Sequence, residues 1–320
     1  MRILNKLRFI SLILTLLLVV MMAVPTISMA AQKKVELGTT SSFAVLAYTT
    51  ITNTGPTTIS GSSPEGGGNV GLHPGTKFTG QADVTMTGWT AYLSDPAGVA
   101  LQAKNDLVVA YLDAAGRTPT TTFTATDNQL GGQTLKSGVY AFGHADTANL
   151  TAASPLILDA EGNEDAVFIF QASSDLITAS GSKIILKNGA RYCRVFWQVT
   201  SSATLGTGSY FVGHIFALTS IAAKTGATVQ GQLLARNGAV TLDTNTITNG
   251  ICATTPVGDT TAATGGEGDT TAATGGKVGT TTITGGQLPK TSTPLYELLL
   301  IGAVLTLVGA VGWRSRKRYE

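Results

Sequence analysis

The chain has 320 residues, and only 12% of them are Asp, Glu, Lys or Arg, about half the share in a typical soluble protein. It contains 50 Thr and 38 Gly, so residues that favour strands and turns replace charged ones. The formal net charge is +2, and between residues 31 and 290 there are 14 basic and 17 acidic residues with no basic run. This charge pattern argues against a nucleic-acid partner.

The first 30 residues have the order of a secretory signal peptide. Three basic residues precede an apolar run, Phe9 to Val24, and small residues follow it up to Ala30. We expect cleavage after Ala30 and export of the protein, with an uncleaved membrane anchor as the alternative.

The domain expected between the signal peptide and the linker, residues 31–256, shows one strong helical pattern. Apolar residues recur at three- and four-residue spacing from Val99 to Ala114, and Asp95 and Pro96 suit the first turn. Elsewhere short apolar segments alternate with Gly, Asn and Thr, which is typical of strands and turns.

An 18-residue repeat runs through the C-terminal half of this domain. Thr207-Gly208-Ser209-Tyr210 aligns with Thr225-Gly226-Ala227-Thr228, and three inward columns follow from the same spacing. The columns are Trp197, Ile215 and Leu233; Val199, Ala217 and Ala235; and Phe211, Val229 and Ile247. Phe216 and Leu234 then face outward, and we expect the helix to cover them. The pattern predicts a mostly β fold, a β-solenoid of about three faces per turn with one long α-helix alongside.

Six sequence blocks resemble the ice-binding-like family of microbial antifreeze and ice-adhesion proteins, over residues 37 to about 252. They are Leu37–Ala47, Gly71–Thr76, Gly138–Tyr140, Ala166–Gln171, Val195–Val199 and Ala235–Leu242. The resemblance implies a right-handed, discontinuous β-solenoid with a long helix beside it. It also implies an extracellular protein that has ice as its ligand.

Two cysteines, Cys193 and Cys252, bracket the repeated segment. In an exported protein such a pair suits one disulfide, which would cover the end of the strand stack, and two free thiols are the alternative.

No metal site or cofactor is expected, because the three histidines lie at no ligand spacing. The carboxylates of Glu161 to Asp165 could hold Ca²⁺, but an exposed polar turn is the simpler interpretation.

The repeated segment from Thr207 to Leu242 contains no Asp or Glu, so proton-transfer catalysis has no acid or base there and the protein is predicted not to be an enzyme. Uncharged hydroxyl and methyl groups on a flat β-surface suit ice, because β-branched Thr has few rotamers. The candidate ice-binding residues are Thr207, Ser209, Thr225, Thr228, Thr241, Thr244 and Thr246.

After the domain, residues 257–287 contain three ten-residue units rich in Gly and Thr, which we interpret as a flexible linker.

Residues 288–320 follow as a membrane anchor. The apolar stretch from Pro294 to Trp313 is long enough to span a bilayer, and Arg314 to Arg318 holds it at the cytoplasmic side. Before it, Leu288, Pro289, Lys290, Thr291 and Ser292 resemble the sortase sorting signal of Gram-positive surface proteins, with Ser292 where that family has Gly. The resemblance implies sortase and peptidoglycan as partners besides the membrane.

Together these features predict a cell-surface ice-binding protein that limits ice growth or recrystallisation or holds the cell to ice. The alternative is a surface adhesin or wall protein that binds polysaccharide or neighbouring cells. A carbohydrate-active enzyme is the third possibility, and it would need paired carboxylates or a basic residue poised by a bound metal.

Overall fold

The computed structural model describes residues 32–62, 66–124, 128–143, 146–250 and 252. These residues form one α-helix, α1 (Val99–Gly116), three short 3-10 helices and 22 strands. The strands are β1 (Phe43–Ala47), β2 (Thr50–Thr54), β3 (Thr57–Gly61), β4 (Asn69–Leu72), β5 (Lys77–Thr79), β6 (Val84–Thr85), β7 (Ala91–Tyr92), β8 (Thr121–Phe123), β9 (Thr134–Leu135), β10 (Gly138–Phe142), β11 (Ala148–Leu150), β12 (Leu156–Asp159), β13 (Phe168–Ala172), β14 (Leu176–Thr178), β15 (Ile184–Lys187), β16 (Val195–Val199), β17 (Ala203–Leu205), β18 (Tyr210–Ala217), β19 (Ile221–Ala223), β20 (Thr228–Ala235), β21 (Val240–Asp243) and β22 (Thr246–Asn249).

Neighbouring strands pair in parallel, and they form three sheets. In the 12-stranded sheet, the helix-side ladder runs β8-β10-β13-β16-β18-β20-β1-β4-β7. The same sheet branches into a second ladder, in which the first halves of β18 and β20 continue through β22, β3 and β6. The third ladder is the seven-stranded sheet β11-β14-β17-β19-β21-β2-β5, and β15-β12-β9 form a three-stranded sheet. The prediction of a mostly β protein with one helix is confirmed.

The three predicted inward columns are present in the strand register. Trp197 pairs with Ile215, which pairs with Leu233, and Phe211 pairs with Val229, which pairs with Ile247. All of these side chains are at most 1% exposed. The Trp197 ring stacks on Phe170 with 3.9 Å between ring centroids. The core is therefore a stack of like side chains, one layer for each strand.

Helix α1 lies on the outer side of the helix-side ladder. Its apolar stripe, which includes Ala103, Leu107 and Ala110, packs on Phe216 and Leu234 from the strands, as the repeat predicted. The side-chain amide of Gln171 donates hydrogen bonds to the carbonyl oxygens of Ala114 and Arg117, each at 2.8 Å. Because these are carbonyls at the helix end, the sheet supplies the donors that the helix lacks there.

The helix begins later than the sequence predicted. Gly98 is its N-cap residue and Val99 its first residue, whereas the sequence placed Asp95 and Pro96 at the start. Asp95 still contributes to the start, because its carboxylate accepts a hydrogen bond of 2.5 Å from the backbone N–H of Ala100.

The order of strands in space differs from their order in the chain. The N-terminal strands β1, β2 and β3 pair with the C-terminal strands β20, β21 and β22. The disulfide between Cys193 and Cys252, with Cα atoms 5.6 Å apart, therefore does not cover a free end of the stack. The predicted disulfide is present, but its expected place at a free end of the stack was wrong, because β3 already occupies the edge of β22.

Candidate functional site

One outer surface of the second ladder carries eight aligned side chains without a charge, which we call the threonine face. Its first row crosses five strands and its second row crosses three. Adjacent strands are about 4.8 Å apart and alternate residues about 6.6 Å apart, so the first row extends about 19 Å. The first row is Tyr210, Thr228, Thr246, Thr58 and Thr85, and the second is Gln230, Thr248 and Ser60.

A rigid apolar layer supports this face. Beneath the two rows, Val229, Ile247 and Ile59 alternate with the outward residues and are at most 1% exposed. On the outer side, the Ser60 hydroxyl donates a hydrogen bond of 3.3 Å to Thr248 Oγ1. Because β-branched threonines have few χ1 rotamers and the strands are fixed by their pairing, the hydroxyl and methyl positions are set before any ligand binds.

Two neighbouring turns lead from the third ladder into the threonine face, one between β19 and β20 and one between β21 and β22, and each carries a further threonine. Thr225 and Thr244 both donate hydrogen bonds to the carboxylate of Asp243, the latter over 3.0 Å. On the inner side, the side-chain amide of Asn245 in the second turn donates to the carbonyl oxygens of Lys224 and Ala227 in the first, at 2.9 and 3.1 Å. Side-chain hydrogen bonds therefore join the two turns on their outer and inner sides. The outer side includes the carboxylate of Asp243.

The third ladder has a second outer row with several hydroxyl groups. The row is Thr204, Ala222, Thr241, Thr52 and Thr79, in register across five strands. Charged residues share this surface, because Asp243 lies on β21 two residues beyond Thr241 and exposed Lys77 lies on β5 two residues before Thr79. The threonine face also has charged neighbours, since exposed Asp83 lies two residues before Thr85 and exposed Lys183 pairs with Tyr210. It differs from the third ladder in having two uncharged rows side by side.

The structure divides the seven candidate ice-binding residues among four places. Thr228 and Thr246 lie on the threonine face, and Thr241 lies on the third ladder. Thr207, Thr225 and Thr244 occupy exposed turns. Ser209 is only 1% exposed, so its expected outward position was wrong. The assumption of one common side fails because the turn residues lie between two surfaces that point in different directions.

Sequence reasoning missed most of the threonine face. Thr58, Ser60 and Thr85 come from the N-terminal part of the chain, and they join the face because β3 pairs with β22 and β6 with β3. The 18-residue repeat could not reveal this pairing, since Thr58 and Thr246 are far apart in sequence. The alternation in Thr57-Thr58-Ile59-Ser60, which matches Thr246-Ile247-Thr248, is the signal that could have found it.

The acidic turn that could have held Ca²⁺ is occupied by ion pairs. Glu161 pairs with Lys136, Glu164 with Arg191, and Asp165 with Arg194. Among the described residues there is no group of three or more His, Cys, Asp or Glu arranged to hold a metal ion. The arrangement supports an exposed polar turn.

The other sequence features lie outside the described residues. These are the signal peptide in residues 1–30, the linker in 257–287 and the sorting signal with its apolar span in 288–320. Within the described part of the chain, no helix has the length and apolar character needed to cross a membrane.

Comparisons with known proteins agree on one family. The family model described as ice-binding-like matches residues 45–248. A similar curated protein is an ice-binding protein of Nostoc sp. (strain HG1), which is 45% identical over 221 residues, covering 69% of this chain and 76% of the relative. An ice-binding protein of Colwellia sp. is 34% identical over 226 residues, covering 67% of this chain and 83% of the relative.

Solved structures show the same likeness in three dimensions. An ice-binding protein from an Antarctic biological consortium has a TM-score of 0.63 and 37% identity, with coverage of 71% of this chain and 96% of that one. An ice-binding protein of the Antarctic ascomycete Antarctomyces psychrotrophicus has a TM-score of 0.60 and 38% identity, with coverage of 68% and 98%. By sequence and by structure, this chain belongs to the ice-binding-like family.

Proposed function

We propose that this protein binds ice and that the threonine face is its ice-binding surface. The observation that carries the proposal is the pair of aligned rows of uncharged side chains on adjacent parallel strands. The names of the relatives, which are ice-binding proteins, support the same function.

The chemistry of the face suits an ordered water lattice. Threonine offers a hydroxyl that can donate and accept hydrogen bonds and a methyl group that does not compete for water. A charged side chain would instead keep a hydration shell of its own, since an ammonium is strongly hydrated. Because the rows are fixed by strand pairing, ordering of water at this face costs little side-chain entropy.

We also propose that the three ladders are the faces of a right-handed, discontinuous β-solenoid. The chain order supports this, because strands of the helix-side ladder alternate with strands of the other sheets from β10 onward. The discontinuity lies where β1 to β7 join the C-terminal strands, and α1 carries the chain back along the stack. An 18-residue helix is about 27 Å long, which matches five to six strand spacings.

The proposed role is non-enzymatic and extracellular. A surface of threonines has no group that transfers protons near neutral pH. The sequence of residues 1–30 favours export, and residues 288–320 favour retention at the cell surface through the membrane. Sortase and peptidoglycan are the further partners proposed for wall attachment.

Ice binding is tested with the purified protein and single ice crystals. We expect faceted crystals just below the melting point and inhibition of recrystallisation in a frozen sucrose solution. Round, unshaped crystals together with normal recrystallisation would contradict the function. The Thr246→Lys variant, which places an ammonium in the centre of the first row, is the matched negative control.

Cell-surface retention is tested by fractionating cells that express the full chain. Deletion of residues 294–320 should release the protein into the medium, and Ser292→Gly should increase the wall-linked share if sortase recognises the motif. A full-length protein that is already free in the medium would contradict the anchor.

A further inference from the structure

A cavity of about 350 Å³ lies between the first half of α1 and the turns that follow strands β1, β4 and β20. Residues from four segments line it: the helix, the turn after β1, the turn after β4 and the turn after β20. The lining residues that the argument uses are Tyr48, Leu101, Lys104, Asn105, Arg236 and Asn237. None of them belongs to the threonine face.

The charges in this cavity are all basic. The cationic side chains in its lining are those of Lys104 and Arg236, and none of the described lining residues carries a carboxylate. The ion pairs among the described residues involve neither Lys104 nor Arg236. A cavity with two such cations and no acid attracts an anion.

Lys104 is held in an environment that disfavours its charge. Its ammonium donates hydrogen bonds to the carbonyl oxygens of Ala235 and Arg236 at 2.5 and 2.6 Å, and its side chain is buried. Burial, and next the charge of Arg236, lower the pKa of Lys104 to about 7. A carboxylate bound beside the two cations would offset both effects.

The rest of the lining suits the body of a sugar. The Tyr48 side chain is 40% exposed, and one ring face has the Lys104 ammonium at 5.4 Å from the centroid. Aromatic rings pack against the C–H face of a pyranose, and the side-chain amides of Asn105 and Asn237 can hydrogen-bond its hydroxyls. The central guanidinium carbon of Arg236 lies 5.2 Å from the centroid of the Tyr111 ring, a cation–π contact that favours this position of the donor fork.

We propose that this cavity is a binding site for a carboxylate-bearing saccharide, such as a uronic acid residue of an acidic polysaccharide. Arg236 binds the carboxylate by its planar fork, Lys104 adds a second positive charge, and Tyr48 and Asn237 contact the sugar ring and its hydroxyls. The volume accommodates about one or two sugar units. The site would give this ice-binding-like protein a second ligand, bound on a surface separate from the threonine face.

The test is titration calorimetry of the full chain with two probes that differ only in the carboxylate, methyl β-D-glucuronide and methyl β-D-glucoside. We expect saturable binding of the glucuronide with a dissociation constant of about 1 mM. The glucoside should bind at least about tenfold more weakly. Equal binding of the two probes, or no saturation with the glucuronide up to about 10 mM, would overturn the proposal.

Variants locate the binding. Arg236→Gln should weaken glucuronide binding about tenfold, whereas Lys77→Gln, on an exposed strand position outside the cavity, should leave it unchanged. Asn237→Ala is a second probe, because this exposed turn residue can be changed without disturbing the Arg236 stack, and it should weaken binding about threefold. Unchanged affinity in both cavity variants would overturn the proposal. Equally strong competition by free acetate would overturn the saccharide as the ligand class.

Discussion

The two halves of strand β20 have opposite surroundings on their outer side. In the first half, Thr228 and Gln230 are partly exposed on the threonine face. In the second half, Leu234 also points out of the sheet, but it is fully buried because α1 covers it. Gly231 separates the halves with a φ of 146°. One strand thus contributes both to the proposed binding surface and to the helix contact, and the change of direction at a glycine divides them.

The two halves of β20 contribute differently to stability and to the proposed ice binding. The covered half gains hydrophobic free energy from α1, whereas the exposed half buries no apolar group on its outer side. Mutations on the covered half should therefore lower the free energy of unfolding, and mutations on the threonine face should change ice activity alone.

The largest effect is expected from Phe216→Ala. Phe216 is fully buried beneath α1 and packs near Phe196. Removal of its ring should leave a cavity and lower the free energy of unfolding by about 4 kcal/mol. Chemical denaturation at constant pH measures this value. A loss below about 1 kcal/mol would show that the helix is only loosely packed on the ladder.

The change of direction at Gly231 is tested by Gly231→Ala. A Cβ atom at this position would lie 2.0 Å from the carbonyl oxygen of Gly213, and the positive φ disfavours an L side chain. We expect a loss of about 3 kcal/mol in unfolding free energy, because both backbone strands must move. Gly226→Ala is the control for the positive φ alone, since no atom lies within 4 Å of the Cβ there. It should cost less than Gly231→Ala, and equal losses would contradict the close contact.

Acid should lower the free energy of unfolding through His214, a buried residue on the covered side of β18. His214 is 2% exposed beside the Phe196 ring, and burial, followed by the charge of Lys34, lowers its pKa to about 3. The unfolded chain, with a His pKa near 6.5, binds more protons below that pH, so stability is full above pH 6.5 and falls as the pH decreases. We expect a loss of about 2 kcal/mol between pH 7 and pH 5.

Denaturation midpoints at several pH values measure this dependence. The His214→Gln variant is expected to lose it, whereas His73→Gln, at a partly exposed position, should keep it. A wild-type protein with constant stability over this range would contradict the depressed pKa of His214.

The smallest change in stability is expected from Thr246→Ala. Thr246 is exposed and its neighbours on the face are Thr228 and Thr58. Its unfolding free energy should differ from that of the wild type by no more than about 0.5 kcal/mol. A larger loss would mean that the threonine row contributes to the fold, and stability and function would then not be separable on this strand.

Much of the covered half was predictable from the sequence, and little of the threonine face was. The inward columns and the outward positions of Phe216 and Leu234 follow from the 18-residue repeat, because like side chains recur at constant spacing in consecutive strands. The face depends instead on pairing between β22 and β3, which are distant in the chain. The match between Thr58-Ile59-Ser60 and Thr246-Ile247-Thr248 indicates this pairing, but the 18-residue repeat does not extend to β3. Ser209 keeps the two-residue alternation, since it lies two residues before inward Phe211 and is buried like it, so its outward assignment was wrong.

The central claim is that ice binds the two rows of the second ladder and not the threonines of the third. The most direct measurement is the concentration of protein that halts ice recrystallisation, compared between Thr228→Tyr and Thr241→Tyr. Both variants add the same ring to a strand threonine on an outer surface, and only Thr228 lies on the threonine face. We expect Thr228→Tyr to need at least about tenfold more protein than the wild type, equivalent to about 1.4 kcal/mol, and Thr241→Tyr to match the wild type. Loss of activity in Thr241→Tyr with normal activity in Thr228→Tyr would contradict the account.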